Sequence, residues 1–166
     1  LNMTKFMSRK DSVVDTTCQG IEFLMKKNKV DVIHGLASIL DDKTIQVSGS
    51  KEKKINTKNI ILATGSKPIE LPFAKFDKER IISSTEALKL TEVPEHLIVI
   101  GGGVIGLEMG SVYKRLGSKV TVIEYSNSII STMDHSCGKE LNRSLKKLGI
   151  KFHLSTKVQK VTRKGN

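Results

Sequence analysis

The chain has 166 residues, of which 38% are hydrophobic and 27% charged, a composition far from that of disordered proteins. This length accommodates one sizeable hydrophobic core but not two full domains. No stretch reaches the ~18 consecutive apolar residues of a membrane-spanning helix, and the N-terminus lacks the apolar run of a signal peptide. We therefore expect a soluble globular chain that does not enter a membrane.

The net charge of +11 raises the question of nucleic-acid binding. The lysines occur in small groups at predicted helix ends and in a predicted hairpin, where solvated cations are common. Proteins that bind single-stranded nucleic acid interleave such charge with aromatic side chains for stacking, yet aromatics are only 4% here. The pattern favours a solvated surface, and we expect no nucleic-acid partner.

The two cysteines, Cys18 and Cys137, are far apart and form no CxxC pair. Each falls on the apolar stripe of a predicted helix. This placement predicts buried, inert thiols in a reducing compartment and makes a metal site improbable.

The first 66 residues predict one helix followed by short strands. Apolar residues at spacings of four, three and four predict a helix from about Lys5 to Asn28 (Val14, Cys18, Ile21 and Met25). Turn residues separate five predicted strands: Val30–His34, Ala37–Leu40, Thr44–Ser48, Lys54–Thr57 and Asn59–Thr64. Residues 60–62 are apolar in succession, which predicts a strand buried on both faces.

An irregular connector follows, because Pro68 and Pro72 both resist helix formation. Ser84 or Thr85 is predicted to cap a short helix, with Glu86 in its first turn. Pro94 then precedes a new apolar strand.

That strand, Leu97–Ile100, runs directly into a G-x-G-x-x-G motif and a helix from about Val104 to Leu116. In this context the motif predicts a dinucleotide site. Gly101 permits the tight turn, Gly103 lets a pyrophosphate approach the backbone, and Gly106 lets the helix pack on its strand. The positive end of the helix dipole faces the phosphates. The motif comprises Gly101, Gly102, Gly103, Val104, Ile105 and Gly106.

The next predicted strand, Lys119–Ile123, ends at Glu124, 18 residues beyond Gly106. A carboxylate there can accept hydrogen bonds from the adenosine ribose of NAD and would repel the extra phosphate of NADP. The pattern therefore predicts NAD as the coenzyme. A glycine-rich βα turn that binds nothing is the structural alternative.

A helix capped by Asp134 follows, with Leu141, Leu145 and Leu148 facing inward. Two further strands are predicted at Ile150–Leu154 and Thr156–Thr162. The order βαβαβ builds half of a doubly wound sheet. The predicted fold class is α/β: a partial Rossmann-type parallel sheet preceded by a helix and a small β-meander.

These motifs resemble those of the flavoprotein disulfide reductases. The resemblance is carried by IILATGSKPIELPF, RIISSTEAL and VPEHLIVIGGGVIGLEMGSVYKRLGSKVTVIE and extends over essentially the whole chain. It implies that residues 1–66 end an FAD-binding domain, 67–96 form a connector and 97–166 belong to an NAD-binding domain. It also implies an FAD contact from the backbone of Ala37 and from Thr64, Gly65 and Ser66.

The same resemblance extends the NAD site to Leu107, to Glu108 beside the nicotinamide and flavin, and to the backbone of Val158 at the NAD adenine. An acid at Glu124 implies the NAD-using branch that oxidises dihydrolipoamide. In that reaction dihydrolipoamide reduces a protein disulfide, the disulfide reduces FAD, and the flavin passes a hydride to NAD. The implied partners are a second subunit and the lipoyl domains of 2-oxo acid dehydrogenase complexes, in the bacterial cytoplasm or the mitochondrial matrix.

The sequence departs from the family's pattern at its catalytic motifs. The N-terminal flavin glycine motif, the redox C-x-x-x-x-C pair, the C-terminal flavin motif and the His–Glu base are absent, so no catalytic residue is assigned to this chain. Ser131 also replaces a proline common in the family. We expect an internal portion of a longer enzyme that is inactive alone. Another NAD-dependent relative, such as an NADH oxidase or peroxidase, and a non-catalytic NAD-binding module remain as alternatives.

Overall fold

The computed structural model describes residues 2–49 and 52–162. Its residues group into two compact units, one of Arg9–Lys67 and the other of Pro68–Asn166 with Leu1–Ser8. No helix in these ranges is long and apolar enough to cross a membrane. The break between Lys67 and Pro68 is a structural observation, whereas the assignment of residues 1–66, 67–96 and 97–166 to cofactor domains stays a prediction.

The unit of Arg9–Lys67 combines most of helix α1 (Met3–Lys27) with a three-stranded antiparallel meander. Strand β1 (Leu36–Ile39) pairs with β2 (Thr44–Ser48), and β2 pairs with β3 (Lys53–Asn56). Val47 is the single buried hydrophobic side chain among the described residues of this unit. The predicted helix and meander are therefore present, but they enclose very little core.

Two strands predicted in this unit do not form. Residues 30–34 and 59–64 have no strand structure, and Ile61 and Leu62 are 89% and 72% exposed. The prediction that residues 60–62 lie in a strand buried on both faces was wrong for this chain. An extended segment becomes a strand only by pairing its N–H and C=O groups with a neighbour, and no described strand pairs with either segment.

The prediction of buried cysteines was also wrong, because Cys18 and Cys137 are both exposed. Helix α1 has an apolar stripe but no buried residue, since no described element of Arg9–Lys67 covers that stripe. Periodicity establishes that a helix is amphipathic, and it does not establish what packs on the apolar face.

The second unit contains a three-stranded parallel sheet, in which β4 (His96–Ile100) pairs with β5 (Lys119–Ile123) and β5 pairs with β6 (Lys151–His153). Strand β4 leads into helix α3 (Val104–Arg115), and β5 leads through a loop into α4 (His135–Lys147) and β6. The register pairs Ile100 with Ile123 and Ile123 with His153, so the three carboxyl ends share one edge. This topology confirms the predicted α/β class with a partial doubly wound sheet.

A continuous core lies beneath the helices of this unit. Val120 and Val122 of β5 have no exposed surface, and they belong to one buried cluster with side chains of α3 and α4. As predicted, Leu145 is buried, while Leu141 and Leu148 are partly buried against the core. The buried hydrophobic members are Ala87, Leu107, Tyr113, Val120, Val122, Ile129, Ile130, Leu145 and Ile150.

The helix ends follow the predicted chemistry with one shift. The Asp134 carboxylate accepts the Ser136 N–H at 2.8 Å, as expected of a cap, and Gly117 ends α3 with a φ of 112°. Helix α2 (Ser84–Ala87) is capped by Ser83 rather than by Ser84 or Thr85. The Ser83 hydroxyl accepts the Thr85 N–H, and Glu86 accepts the Ser83 N–H at 2.9 Å, which forms a capping box one residue earlier than predicted.

The strand predicted at 156–162 is absent from the structure. Ser155 adopts a φ of 50° and turns the chain out of the direction of β6. Its N–H bonds to the Ser126 carbonyl at 2.9 Å, and the Thr156 N–H bonds to the Glu124 carbonyl at 2.9 Å. These bonds fasten the segment across the loop after β5 instead of extending the sheet.

Candidate nucleotide-binding site

The glycine turn joins β4 to α3 at the carboxyl edge of the parallel sheet. Gly101 has a φ of 103°, which is unfavourable for a residue with a Cβ, and its N–H donates to the Ile123 carbonyl at 2.9 Å. A methyl group on Gly106 would lie 2.9 Å from Cγ1 of Val99, so only glycine lets α3 pack this closely on β4. The structure thus shows the tight turn and the close packing that the motif predicts.

Gly103 faces open space. A methyl group on its Cα would have no atom within 4 Å, and its backbone dihedrals (φ −77°, ψ 165°) are accessible to any residue. Neither conformation nor internal packing therefore requires glycine at this position. The absence of a side chain matters only for what approaches from outside, as expected of a pyrophosphate-binding glycine.

An open cleft of ≈ 440 Å³ lies over the turn, lined by Ile100, Gly101, Gly103, Val104, Ile105 and Gly106. Gly103 is the N-cap of α3, no side chain caps that end, and the first turn holds no acidic residue. The first amides of a helix have no intrahelical partner and carry the positive end of its dipole. This cleft therefore presents N–H donors and a positive field, which suit an anionic group.

Glu124 follows β5 and reaches back to the same turn. Its Oε2 accepts the Gly102 N–H, and its Oε1 accepts the Ser126 N–H at 2.6 Å. Partial burial alone would raise the pKa of the carboxyl, but the N–H groups of Ser126 and Gly102 outweigh burial and hold the pKa below its ordinary value. The side chain is thus an anion fixed beside the glycine turn.

Gly102 has no role of its own in the motif as predicted from the sequence, yet it makes a second contact in the structure. Its carbonyl accepts the Ile130 N–H at 2.8 Å, so the loop after β5 is fastened to the turn from both sides. The sequence does carry an indication of this contact, because the position between Gly101 and Gly103 is also a glycine although the G-x-G-x-x-G motif allows any residue there.

Three residues of the predicted NAD site, Leu107, Glu108 and Val158, belong neither to the cleft lining nor to the contact between Glu124 and the turn. Leu107 is 3% exposed within the core, and its N–H donates to the Gly103 carbonyl. Glu108 is exposed and lines a separate cleft of ≈ 600 Å³ between α3 and α4. Val158 is half-buried in the irregular segment after β6. Their contacts with a nucleotide remain predictions.

The predicted FAD contacts all belong to the unit of Arg9–Lys67. Ala37 lies in β1 opposite Val47, and residues 64–66 form an exposed irregular segment in which Gly65 has a φ of 75°. Within the described ranges, no group of three or more His, Cys, Asp or Glu side chains could hold a metal ion.

Comparison with known proteins agrees with the class of protein that this turn defines. The profile of the pyridine nucleotide-disulphide oxidoreductase family matches residues 2–166. The chain therefore belongs to this family.

Its curated relatives include dihydrolipoyl dehydrogenases. The chain is 48% identical to the mitochondrial dihydrolipoyl dehydrogenase of Dictyostelium discoideum over 100% of its own length and 34% of the relative. It is 40% identical to the Bacillus subtilis dihydrolipoyl dehydrogenase over 97% of its length and 35% of the relative. The chain therefore spans about one third of the length of these relatives.

Solved structures with a similar fold include two bacterial proteins. LpdA from Mycobacterium tuberculosis matches with a TM-score of 0.87 at 25% identity, over 99% of this chain and 38% of that one. The HOCl-induced flavoprotein disulfide reductase RclA from Escherichia coli matches with a TM-score of 0.79 at 26% identity, over 96% of this chain and 37% of that one.

Proposed function

We propose that the chain is the NAD-binding portion of a dihydrolipoamide dehydrogenase. The full-length protein would use FAD to reoxidise protein-bound dihydrolipoamide to lipoamide and reduce NAD. It would act as a homodimer with the lipoyl domains of 2-oxo acid dehydrogenase complexes, in the bacterial cytoplasm or the mitochondrial matrix. The identity to dihydrolipoyl dehydrogenases supports this assignment.

The proposal extends to the parts of the chain. Residues 1–66 would end the FAD-binding domain, with Ala37 and Thr64, Gly65 and Ser66 along the flavin nucleotide. Residues 67–96 would connect it to the NAD-binding segment, 97–166. The exposed Ile61 and Leu62 support this division, because they suit a strand whose sheet partners lie outside this chain.

The observation that carries the coenzyme proposal is the position of Glu124 beside the glycine turn. The open face of Gly103 and the free amides at the start of α3 would receive the pyrophosphate. NAD would supply the hydride-accepting nicotinamide. Glu124 would accept the ribose hydroxyls as an ionised carboxylate at the end of β5.

The same carboxylate would discriminate against NADP. Its pKa is held below the ordinary value by the Ser126 and Gly102 amides despite partial burial, so it is ionised at neutral pH. The 2′-phosphate of NADP would therefore meet a fixed negative charge.

The test is the affinity of the chain for both coenzymes, measured by NMR titration. We expect a Kd for NAD nearer millimolar than micromolar, or about −4 rather than −8 kcal/mol, because the nicotinamide end lacks its flavin neighbour. Glu124→Arg should weaken NAD binding roughly tenfold or more and favour NADP, since a hydrogen bond to a charged group contributes about 1.5–3 kcal/mol.

Glu92→Arg makes the same change of charge at an exposed residue outside the cleft lining, and it should leave both affinities unchanged. An unchanged NAD to NADP ratio in Glu124→Arg would contradict the role of Glu124. A lack of NAD response at the glycine turn of the unsubstituted chain would contradict the proposed function.

A second candidate within the family has support from one relative. The chain is 44% identical to the leghemoglobin reductase of Vigna unguiculata over 100% of its length and 32% of the relative. Coenzyme binding alone does not separate two members of the same family. Steady-state turnover by the full-length protein with dihydrolipoamide or with ferric leghemoglobin as the substrate would do so.

A further inference from the structure

The contact between Glu124 and Gly102 has a consequence beyond nucleotide binding itself. Gly102 does not have a positive φ, so its backbone conformation does not require glycine. A methyl group on it would lie 3.1 Å from Oε2 and 3.2 Å from Cγ of Glu124, and 3.0 Å from Cγ2 of Ile129. A Cβ at this position would crowd the Glu124 side chain and the buried Ile129, and these side chains would have to shift to admit it.

The backbone of Glu124 is fixed as firmly as its side chain. Its N–H donates to the His153 carbonyl at 2.8 Å, and its carbonyl accepts the Thr156 N–H at 2.9 Å. The carboxylate is held from two sides by the Gly102 and Ser126 amides. A side chain fixed in this way does not have to give up rotamer freedom when a ligand arrives.

We infer that Gly102 is a positioning residue for coenzyme selectivity, because its amide and its missing side chain set the Glu124 carboxylate in place before the coenzyme binds. This inference rests on the proposed NAD-binding function. Gly102 would affect the coenzyme indirectly, by positioning Glu124, whereas Gly103 would contact the pyrophosphate directly.

The first test needs no variant. If the Glu124 carboxylate accepts the Gly102 N–H, the amide proton resonance of Gly102 should shift as Glu124 is protonated at acid pH. Glu124→Gln should abolish that shift. His153 is also titratable, but its hydrogen bond with Glu124 is made by its backbone carbonyl. His153→Gln therefore serves as a matched control and should leave the acid shift of the Gly102 amide intact.

The second test compares two neighbouring glycines. Gly102→Ala should displace the carboxylate, weaken NAD binding roughly tenfold and reduce the preference over NADP, since the lost bond involves a charged acceptor. Gly103→Ala adds the same methyl group where no atom lies within 4 Å. It should weaken both coenzymes equally and preserve the acid shift of the Gly102 amide.

Glu124→Asp provides a second variant that adds no atoms and keeps the charge. Its side chain is one methylene shorter, so it should lose contact with the Gly102 amide and reduce NAD selectivity in the same direction.

A Gly102 amide insensitive to acid, or an unchanged NAD to NADP ratio in both Gly102→Ala and Glu124→Asp, would overturn the inference. Absence of NAD binding by the unsubstituted chain, with the acid shift intact, would overturn the proposed function and with it the selectivity role. The contact would then be purely structural.

Discussion

The unequal cores of the two units lead to a prediction about local stability. Of the eleven buried hydrophobic side chains in the described ranges, ten belong to the unit of Pro68–Asn166 and only Val47 belongs to Arg9–Lys67. Burying a Val, Leu or Ile side chain contributes about 1.5–3 kcal/mol, whereas ordering one residue costs about 1–2 kcal/mol of backbone entropy. We expect amides of Arg9–Lys67 to exchange hydrogen much faster than those of the parallel sheet.

Val122→Ala tests the prediction that the two units exchange their amide hydrogens independently. Val122 has no exposed surface, and losing two methyl groups at about 0.8 kcal/mol each, with the added cost of a cavity, should destabilise its unit by about 2–3 kcal/mol. Amides that exchange through unfolding of this unit should then exchange roughly 30- to 140-fold faster, since each 1.4 kcal/mol is a factor of ten.

Amide hydrogen exchange followed by NMR measures this residue by residue. Val122→Ala should accelerate exchange in β4, β5 and β6 and leave the meander unchanged. Val47→Ala is the matched control, which should affect only β1, β2 and β3. Added NAD should slow exchange at Gly101–Glu108 and at Glu124.

Faster amide exchange in both units of Val122→Ala would show that they unfold as one cooperative structure and would contradict the prediction. Equal protection of the two units in the unsubstituted chain would refute it as well.

Three further outcomes follow from the structure. Tyr113→Phe should destabilise the second unit by about 0.5–1.5 kcal/mol, measured by urea unfolding, because the Tyr113 hydroxyl donates to the buried carbonyl of Ala87. Cys18 and Cys137 should both react with a thiol reagent without denaturant, since both are exposed; resistance of either thiol would contradict this exposure. Because the pKa of Glu124 is lowered in the folded chain, the ionised carboxylate stabilises the fold. The free energy of unfolding should therefore decrease as pH drops below about 4.5 and through the folded pKa. Acid unfolding monitored by circular dichroism should show a smaller decrease in Glu124→Gln.

The absence of the redox cysteine pair leads to one more expected result. The chain alone should show no dihydrolipoamide:NAD turnover, even with added FAD, because neither Cys18 nor Cys137 lies in a C-x-x-x-x-C motif. Turnover above background in a steady-state assay would contradict this expectation.

The sequence predicted the parallel-sheet unit well because its signals are local. A strand ending in glycines, a helix ended by Gly117 and a strand ending in Glu124 each specify their own geometry, and the structure reproduces their bounds within one residue. The Ser83 cap was missed by one position because three consecutive candidates, Ser83–Thr85, carry hydroxyls and only the spacing to Glu86 selects the first.

The unit of Arg9–Lys67 was predicted less well. The wrong predictions there concern which segments pair or pack with one another, and not the local preference of a segment for helix or strand. Residues 59–64 have the composition of a buried strand, but a strand exists only where another backbone accepts and donates its hydrogen bonds. The same holds for the apolar stripe of α1, which predicted a helix correctly and burial of Cys18 wrongly. The local sequence indicates that a segment needs a pairing or packing partner, but it does not show whether that partner is present.

Glu124 shows where spacing rules stop and three-dimensional contacts begin. Its distance from Gly106 along the chain predicted an acid at the ribose end of a dinucleotide site. That spacing does not predict that the acid already accepts the Gly102 amide, because this contact depends on the Ile123–Gly101 bond that aligns the end of β5 with the turn. The motif therefore determines which groups are present at the site. The packing of the sheet edge determines which of them are held in place before any coenzyme binds.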